Sequence, residues 1–238
     1  MDKLHLDQHI SRQYNADLED LRTELLEMGG MVQEQIRDAI SAISNADSDL
    51  ARKVTTVEDE VDAREIALDE HCTLILARRQ PAASDLRMVL AVSKITRDLE
   101  RMGDEANKVA TMAIALVDEG QSSQGYVELR HLAKSVLLMV DQMLNAFARF
   151  DVDAAMTVVR EDKLVDREYK SSTRELITYM MEDPRSIGRV MNVMWALRSL
   201  ERIGDHARNV AEHIIYLVKG LDVRHTSVSE MERQVSES

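Results

Sequence analysis

The sequence predicts an all-α protein made of two tandem, internally duplicated three-helix bundles, with six long helices in all. Only two prolines occur among 238 residues, so long helices meet few interruptions. Aromatic residues make up 3% of the chain, which is too few for a typical β-sandwich or barrel. Apolar residues also recur at alternating spacings of three and four over long segments, as on one face of an amphipathic helix.

Polar and small residues divide the chain into its expected parts. The most loop-like interior segment predicts a linker at residues 120–125, between a first repeat over 1–119 and a second over 126–220. Within each repeat, capping residues and a proline mark two further breaks, which gives three helices per repeat. The tail over 221–238, rich in serine and glutamate, is expected to fray.

The third and sixth helices carry the clearest apolar seams, and both keep the spacing of a helix bundle without a polar interruption. In the third helix the seam is Val92, Ile95, Leu99, Met102, Ala106, Val109, Ala113 and Leu116. In the sixth it is Val193, Ala196, Leu200, Ile203, Ala207, Val210, Ile214 and Leu217. These stripes are expected to form the interior of the protein.

The two seams also match in sequence, which indicates a duplication. A shift of 101 residues aligns 97–112 with 198–213 and produces nine identities in sixteen positions, including Glu-Arg-x-Gly-Asp in both copies. A shift of 104 residues aligns Glu58 with Asp162 and Asp62 with Asp166. Helical periodicity alone does not impose such identities, so we expect two related bundles in tandem.

Pairs of acidic residues within these repeats are candidate metal ligands. Glu100 and Asp104 are four residues apart and therefore lie on one side of the third helix. Gly103 lies between them and is expected to leave open space beside the acids. Glu201, Gly204 and Asp205 repeat this arrangement in the sixth helix.

The second and fifth helices supply further acids that would face these pairs if neighbouring helices pack antiparallel. Oxygen ligands without histidine or thiolate suit divalent or trivalent ions such as Mg, Mn, Ca or Fe. The sequence therefore predicts two metal sites, one per repeat. Their candidate ligands are Glu58, Asp62, Glu100 and Asp104 in the first repeat and Asp162, Asp166, Glu201 and Asp205 in the second.

Two alternatives use the same acids differently. In the first alternative, no metal binds, and the carboxylates are neutralised by Arg97, Arg101, Arg198 and Arg202. In the second, they form a carboxylate-bridged metalloenzyme, an oxidase or phosphohydrolase. No Walker loop, nucleophile elbow or dinucleotide fingerprint occurs in the sequence, so we expect a protein that is not an enzyme.

Isolated residues give weaker signals. Cys72 falls in an apolar register and is expected to lie in the core. Trp195 lies between seam residues, where packing is the expected role. His206 and His213 share a helix face and are interpreted as surface histidines.

Charge and hydropathy restrict the environment and the partners. The chain has 43 acidic and 30 basic side chains, a formal net charge of -13, which disfavours direct contact with nucleic acid or anionic lipid. Its apolar runs are far shorter than the ~20 residues that span a bilayer. The chain begins without an apolar signal segment, so we expect a cytoplasmic protein that meets membranes only through its partners.

The duplicated motif resembles one known family. Leu-Glu-Arg-x-Gly-Asp occurs at 99–104 and 200–205, each copy preceded by an E/D-x-x-x-D pair and a proline-started helix, and this combination resembles the PhoU family of bacterial phosphate-signalling proteins. Local runs at 77–87 and 179–183 strengthen the likeness, which extends from about His9 to Gly220.

This resemblance implies a function that the spacing does not give. PhoU proteins are twofold-repeated six-helix proteins, often dimeric, that repress the phosphate regulon when phosphate is plentiful. They link the PstSCAB phosphate transporter, through its ATPase PstB, to the sensor histidine kinase PhoR. The resemblance thus implies a non-enzymatic adaptor and homodimer, with metal at the eight acids named above. Asp162 replaces a longer glutamate in its motif, so equal occupancy of the two sites is not implied.

Overall fold

Six long helices and one short helix make up the described part of the chain. The computed structural model describes residues 12–120 and 127–237, and those ranges contain no β-strand. The predicted all-α architecture is therefore confirmed. The helices are α1 (Arg12–Asn45), α2 (Ser48–Arg79), α3 (Ala83–Asp118), α4 (Val127–Arg149), α5 (Val152–Glu182), α6 (Ile187–Lys219) and α7 (Val228–Glu237), with a single 3₁₀ turn at Pro184–Ser186 before α6.

Local capping fixes where several of these helices begin and end. The Asp47 carboxylate accepts hydrogen bonds from the backbone N–H groups of Asp49 and Leu50 at the start of α2. Asp151 accepts one from Ala154 at the start of α5. These bonds satisfy amides that have no partner within the helix. The α6 helix ends at Lys219 and is capped by Gly220, whose φ of 74° is a left-handed conformation that glycine adopts without strain.

Consecutive helices pack antiparallel within each repeat. In the first repeat, Asp17 near the start of α1 forms an ion pair with Arg79 at the end of α2. Glu27 and Arg64, nearer the middle of the two helices, form another ion pair. In the second, Ser135 of α4 hydrogen-bonds Glu168 of α5. Each repeat is thus an up-down-up bundle, which is the arrangement needed to bring acids on adjacent helices face to face.

The two repeats pack through their last helices. α3 and α6 form the most extensive helix pair, and α1 also contacts α4. Arg87 near the start of α3 donates a hydrogen bond to the carbonyl of Leu217 near the end of α6, so these two helices are also antiparallel. A single apolar core runs through both bundles, and every residue of the two predicted seams is buried in it.

The tail and Trp195 differ from the sequence-based expectations. The tail after Gly220 contains α7, whose Val228 and Met231 are buried; an ion pair between Glu232 and Arg160 of α5 also holds it. Trp195 is 57% exposed, so the expectation that it packs inside is wrong. Cys72 is buried, as expected. The predicted linker lies almost wholly outside the described residues, as does the start of the chain before residue 12.

Both motif glycines permit close helix packing instead of leaving open space. A Cβ at Gly103 would lie 3.0 Å from the Gln35 side-chain oxygen, and one at Gly204 would lie 3.3 Å from a Val165 methyl. The expected gap beside the acids is therefore occupied by the neighbouring helices. None of the described helices combines the length and the apolar character needed to cross a membrane.

Replacing Gly204 by alanine tests this close packing. We expect Gly204→Ala to lower the free energy of unfolding by about 1 kcal/mol, because overpacking a tight core contact outweighs the gain in helix propensity. Gly30, with no heavy atom within 4 Å of an added Cβ, is the control. Gly30→Ala should raise the free energy of unfolding by about 0.5–1 kcal/mol. Chemical denaturation measures both changes, and equal stabilisation by the two substitutions would contradict the packing account.

Candidate metal centres

The first acidic cluster lies between α2 and α3. Glu58 is within hydrogen-bonding reach of Asp104 and is close to Asp62, while Glu100 lies near Asp104 and Asp62. These acids therefore face one another across the two antiparallel helices, but they do not form a group of carboxylate oxygens within 4.8 Å of one another, as acids of the second repeat do. Glu58, Glu100 and Asp104 are half-buried, whereas Asp62 is exposed.

Electrostatic repulsion and burial both act on this first cluster. Burial raises the pKa of Glu58, and the neighbouring Asp104 and Asp62 raise it further. Burial likewise raises the pKa of Glu100, with Asp104, Glu65 and Asp62 adding to the effect. Glu65, whose own pKa is raised by burial, is thus a further acid at this cluster. Burial is the largest cause of each shift, and Arg97 and Arg101 partly oppose the shift at Glu65.

A tighter group of acids lies between α5 and α6 in the second repeat. Asp166, Glu201 and Asp205 each offer a carboxylate oxygen, and these three oxygens lie within 4.8 Å of one another. Glu201 is buried and the other two are half-buried. Burial raises the pKa of Glu201 and of Asp205, and repulsion from Asp166 raises both further.

Asp162, the fourth predicted ligand of this cluster, is bound to an arginine. Its side chain is 4% exposed, and its carboxylate lies 3.0 Å from a guanidinium nitrogen of Arg208. Arg208 also contacts Glu212 at 3.1 Å. Burial raises the pKa of Asp162 to about 6, although Arg208 opposes the shift. The other three acids therefore converge while Asp162 turns to Arg208.

Arg208 has a counterpart in the first repeat that makes the two clusters chemically unequal. The shift of 101 residues aligns Arg208 with Asn107, whose side-chain amide donates a hydrogen bond to Glu58. Glu58 in turn aligns with Asp162. The same contact is thus made by a neutral amide in one repeat and by a cation in the other. Arg208 was not predicted as a functional residue from the sequence, although the alignment of the repeats pairs it with Asn107.

The ion-paired alternative holds for only part of the cluster. Arg198 contacts Glu201 at 2.7 Å, as that alternative requires. Arg202, however, pairs with Glu105 at 2.9 Å. Among residues 12–120 and 127–237, neither Arg97 nor Arg101 forms a direct ion pair, but Arg101 opposes the rise in the pKa of Glu100 and both arginines oppose it at Glu65. Arginines therefore contact Glu201 and Asp162 directly and act at longer range on the first cluster.

One of the two clusters has the compact geometry of a metal site. In the described part of the chain, Asp166, Glu201 and Asp205 of the second repeat bring three carboxylate oxygens within 4.8 Å of one another, and oxygen ligands of this kind suit a hard metal ion. The four predicted acids of the first repeat do not form such a close group.

A separate polar cluster lies where the repeats meet, and its contacts were not predicted from the sequence. His206 contacts the Asp98 carboxylate at 2.8 Å, and His213 reaches its other oxygen at 3.6 Å. Both histidines are buried, so their interpretation as surface residues is wrong. Burial alone would raise the pKa of Asp98, but bonds from His206, His213 and Asn209 outweigh it and lower the pKa to about 2.

The raised pKa of Asp162 makes stability depend on pH in an unusual direction. Unfolded aspartate has a pKa near ~3.9, so the native metal-free protein holds an extra proton between about pH 4 and 6. We therefore expect the free energy of unfolding to fall as the pH rises through this interval. Asp162→Asn should make that fall shallower, and Lys163→Gln, at the exposed next position, should not. Denaturation at several pH values measures the slopes; identical slopes for wild type and Asp162→Asn would contradict this origin.

Known proteins share both the sequence and the fold. The PhoU domain family model matches residues 25–113 and 129–214, one match in each repeat. A phosphate-specific transport system accessory protein PhoU homolog of Pseudomonas aeruginosa is 57% identical over 99% of this chain and 97% of its own. The Escherichia coli accessory protein PhoU is 46% identical over 98% of this chain and 96% of its own.

A solved structure extends the likeness to three dimensions. The crystal structure of PhoU from Pseudomonas aeruginosa superposes with a TM-score of 0.85 at 59% identity, covering 88% of this chain and all of that one. The family and these relatives are named as accessory or regulatory proteins of phosphate transport, not as enzymes. With two domain matches, near-complete coverage and a shared fold, the chain belongs to the PhoU family.

Proposed function

We propose that this protein is a non-enzymatic regulator of phosphate uptake that represses the phosphate regulon when phosphate is plentiful. The observation that carries the proposal is the 57% and 46% identity, over nearly the whole chain, to accessory proteins of the phosphate-specific transport system. In this role it works in the cytoplasm as a homodimer and meets the membrane through its partners. Its specific role is to link PstB, the transporter ATPase, to a PhoR-type histidine kinase.

The surface offers related docking faces for such a link. Exposed apolar side chains occur at matching positions of α3 and α6: the shift of 101 residues aligns Leu86 with Ile187 and Leu90 with Met191, and all four are at least 37% exposed. Trp195 adds a large aromatic surface one turn beyond Met191. Aromatic and methionine side chains are enriched at protein interfaces, so these faces support an adaptor with two partners.

The acidic clusters give this adaptor its metal sites. We assign the first site to Glu58, Asp62, Glu100 and Asp104 and the second to Asp166, Glu201 and Asp205, with Asp162 joining when it leaves Arg208. A hard ion such as Mg, Mn, Fe or Ca would join α2 to α3 and α5 to α6 by neutralising carboxylates that otherwise repel. A carboxylate-bridged enzyme gains no support from relatives named as accessory proteins.

Loss of the gene tests the regulatory role. In a deletion strain grown in abundant phosphate, we expect phosphate-starvation genes to stay switched on, and the wild-type gene should restore repression. Transcript levels of those genes measure the effect. Normal repression in the deletion strain would overturn the proposed function.

Substitutions at the α6 face test the adaptor mechanism. We expect Met191→Ala with Trp195→Ala to abolish co-purification with PstB or the kinase while leaving the fold intact, because both side chains are exposed. Leu138→Ala removes an exposed apolar side chain of α4, 51% exposed, and should keep both partners. Capture of both partners by the double variant at wild-type levels would contradict docking through this face.

Arg208 provides a test of the metal sites. We expect Arg208→Asn, which copies the first repeat, to tighten Mn²⁺ binding at the second cluster about tenfold, because it removes a competing cation beside Asp162. Lys134→Asn removes an exposed positive charge of α4 and serves as the control. Calorimetric titration of the chelator-treated protein measures both affinities. Equal Mn²⁺ affinities in wild type and Arg208→Asn, or no binding by either, would contradict these sites.

A further inference from the structure

A basic cleft lies between α3, α6 and the loop that follows α6. It encloses about 580 Å³ and is lined by six lysine or arginine side chains, three histidines and only three carboxylates. This is the reverse of the whole chain, whose net charge is -13. Concentrated positive charge in a concave surface raises the local concentration of anions.

Two of the three carboxylates are already paired inside the cleft. Asp98 accepts from His206 and Asn209, at 2.8 and 3.2 Å. Glu212 pairs with Arg208. These two carboxylates therefore already have partners, and the third, Asp205, belongs to the second acidic cluster. Asp98, His206 and His213 are each more than nine-tenths buried and line the base of the cleft.

Three cations of the cleft that form no direct ion pair lie in a row on α3. Lys94, Arg97 and Arg101 follow a spacing of three and four residues, so they occupy one face of the helix, and all three are exposed. Among the described residues, none of the three has a carboxylate within 4.0 Å; Lys94 lies 5.6 Å from the Tyr216 ring centre and acts at longer range on Asp222, and Arg97 and Arg101 act likewise on Glu65. At 1.5 Å per residue this row is about 10 Å long.

The duplication does not impose this cleft. On the opposite side of the repeat interface, the shift of 101 residues replaces Lys94 by Trp195 and aligns Arg97 with Arg198, which is paired with Glu201. Asp98 and His206 are likewise replaced there by Ser199 and Glu105. The positive charge without a direct ion pair therefore lies on one side of the interface only, where Asp205 and Arg208 connect the cleft to the second acidic cluster.

We infer that this cleft binds a small molecule carrying several linked phosphate groups, either an inorganic polyphosphate or a nucleotide. Arginine and lysine are the side chains that bind phosphate oxygens best. A row about 10 Å long is too extended for one orthophosphate to contact all its cations, and the volume is that of a small-molecule site. The inference concerns binding alone and is independent of the proposed regulatory role.

Calorimetry with sodium tripolyphosphate on the full chain tests the inference. We expect micromolar binding by the wild type and at least tenfold weaker binding by Lys94→Gln with Arg97→Gln. The control variant, Arg37→Gln with Lys134→Gln, makes the same change in net charge at exposed positions outside the cleft and should stay within twofold of wild type. Thermal denaturation checks that both variants fold.

Further ligands separate the two sources of linked phosphates. Tighter binding of ATP than of tripolyphosphate identifies a nucleotide site, and equal or weaker binding of ATP identifies a polyphosphate site; both support the inference. Absence of binding, retention of affinity in the cleft variant, or equal loss in the control would overturn it. Equally tight binding of an oligoglutamate peptide would also overturn it, because the cleft would then be a docking surface for carboxylates.

Discussion

The antiparallel packing of α3 against α6 joins the two repeats and sets the direction of their polar faces. Each helix buries an apolar seam against its own repeat and against the other repeat at once, so one core runs through both bundles. Because these seams must face the core, the directions of the polar faces of both helices are also set. The acids face α2 and α5, and Asp98 and His206 meet at the repeat interface. The polar chemistry is thus positioned by the apolar packing.

The two repeats have diverged at positions that keep the same geometry. The contact between Asn107 and Glu58 in one repeat becomes that between Arg208 and Asp162 in the other. A neutral amide leaves a carboxylate available to a cation, whereas a guanidinium competes with that cation. Arg208 also lines the basic cleft and contacts Glu212 there. One side chain therefore connects the second acidic cluster to the region between the repeats.

Much of the fold could be predicted from the sequence because it depends on local periodicity. The seams of α3 and α6, the breaks between helices and the duplication all leave regular traces along the chain. Contacts between the repeats leave no such trace: His206 lies between Asp205 and the seam residue Ala207 in the sequence, and only the packing of α3 against α6 reveals its burial beside Asp98. The ordered tail was missed for the same reason, since Val228 and Met231 find their apolar surroundings only in the folded protein.

Of the eight acids proposed from the sequence, the structure brings Asp166, Glu201 and Asp205 into one close group. All eight acids come from the i, i+4 pattern and its repetition, yet the capture of Asp162 by Arg208 depends on which side chain of α6 faces α5. The close contacts at Gly103 and Gly204 likewise follow from distances between helices. Spacing along a helix predicts which side chains share a face, whereas the partner opposite each of them requires the tertiary structure.

We propose that metal ions neutralise the acids between α2 and α3, and those between α5 and α6, in the folded protein. Anomalous diffraction at the manganese edge, from crystals grown with Mn²⁺, shows whether metal binds at either cluster. We expect one anomalous peak or more in contact with Glu100 and Asp104, and another with Glu201 and Asp205. Absence of both peaks, with the carboxylates bound only to arginine or solvent, would contradict the account.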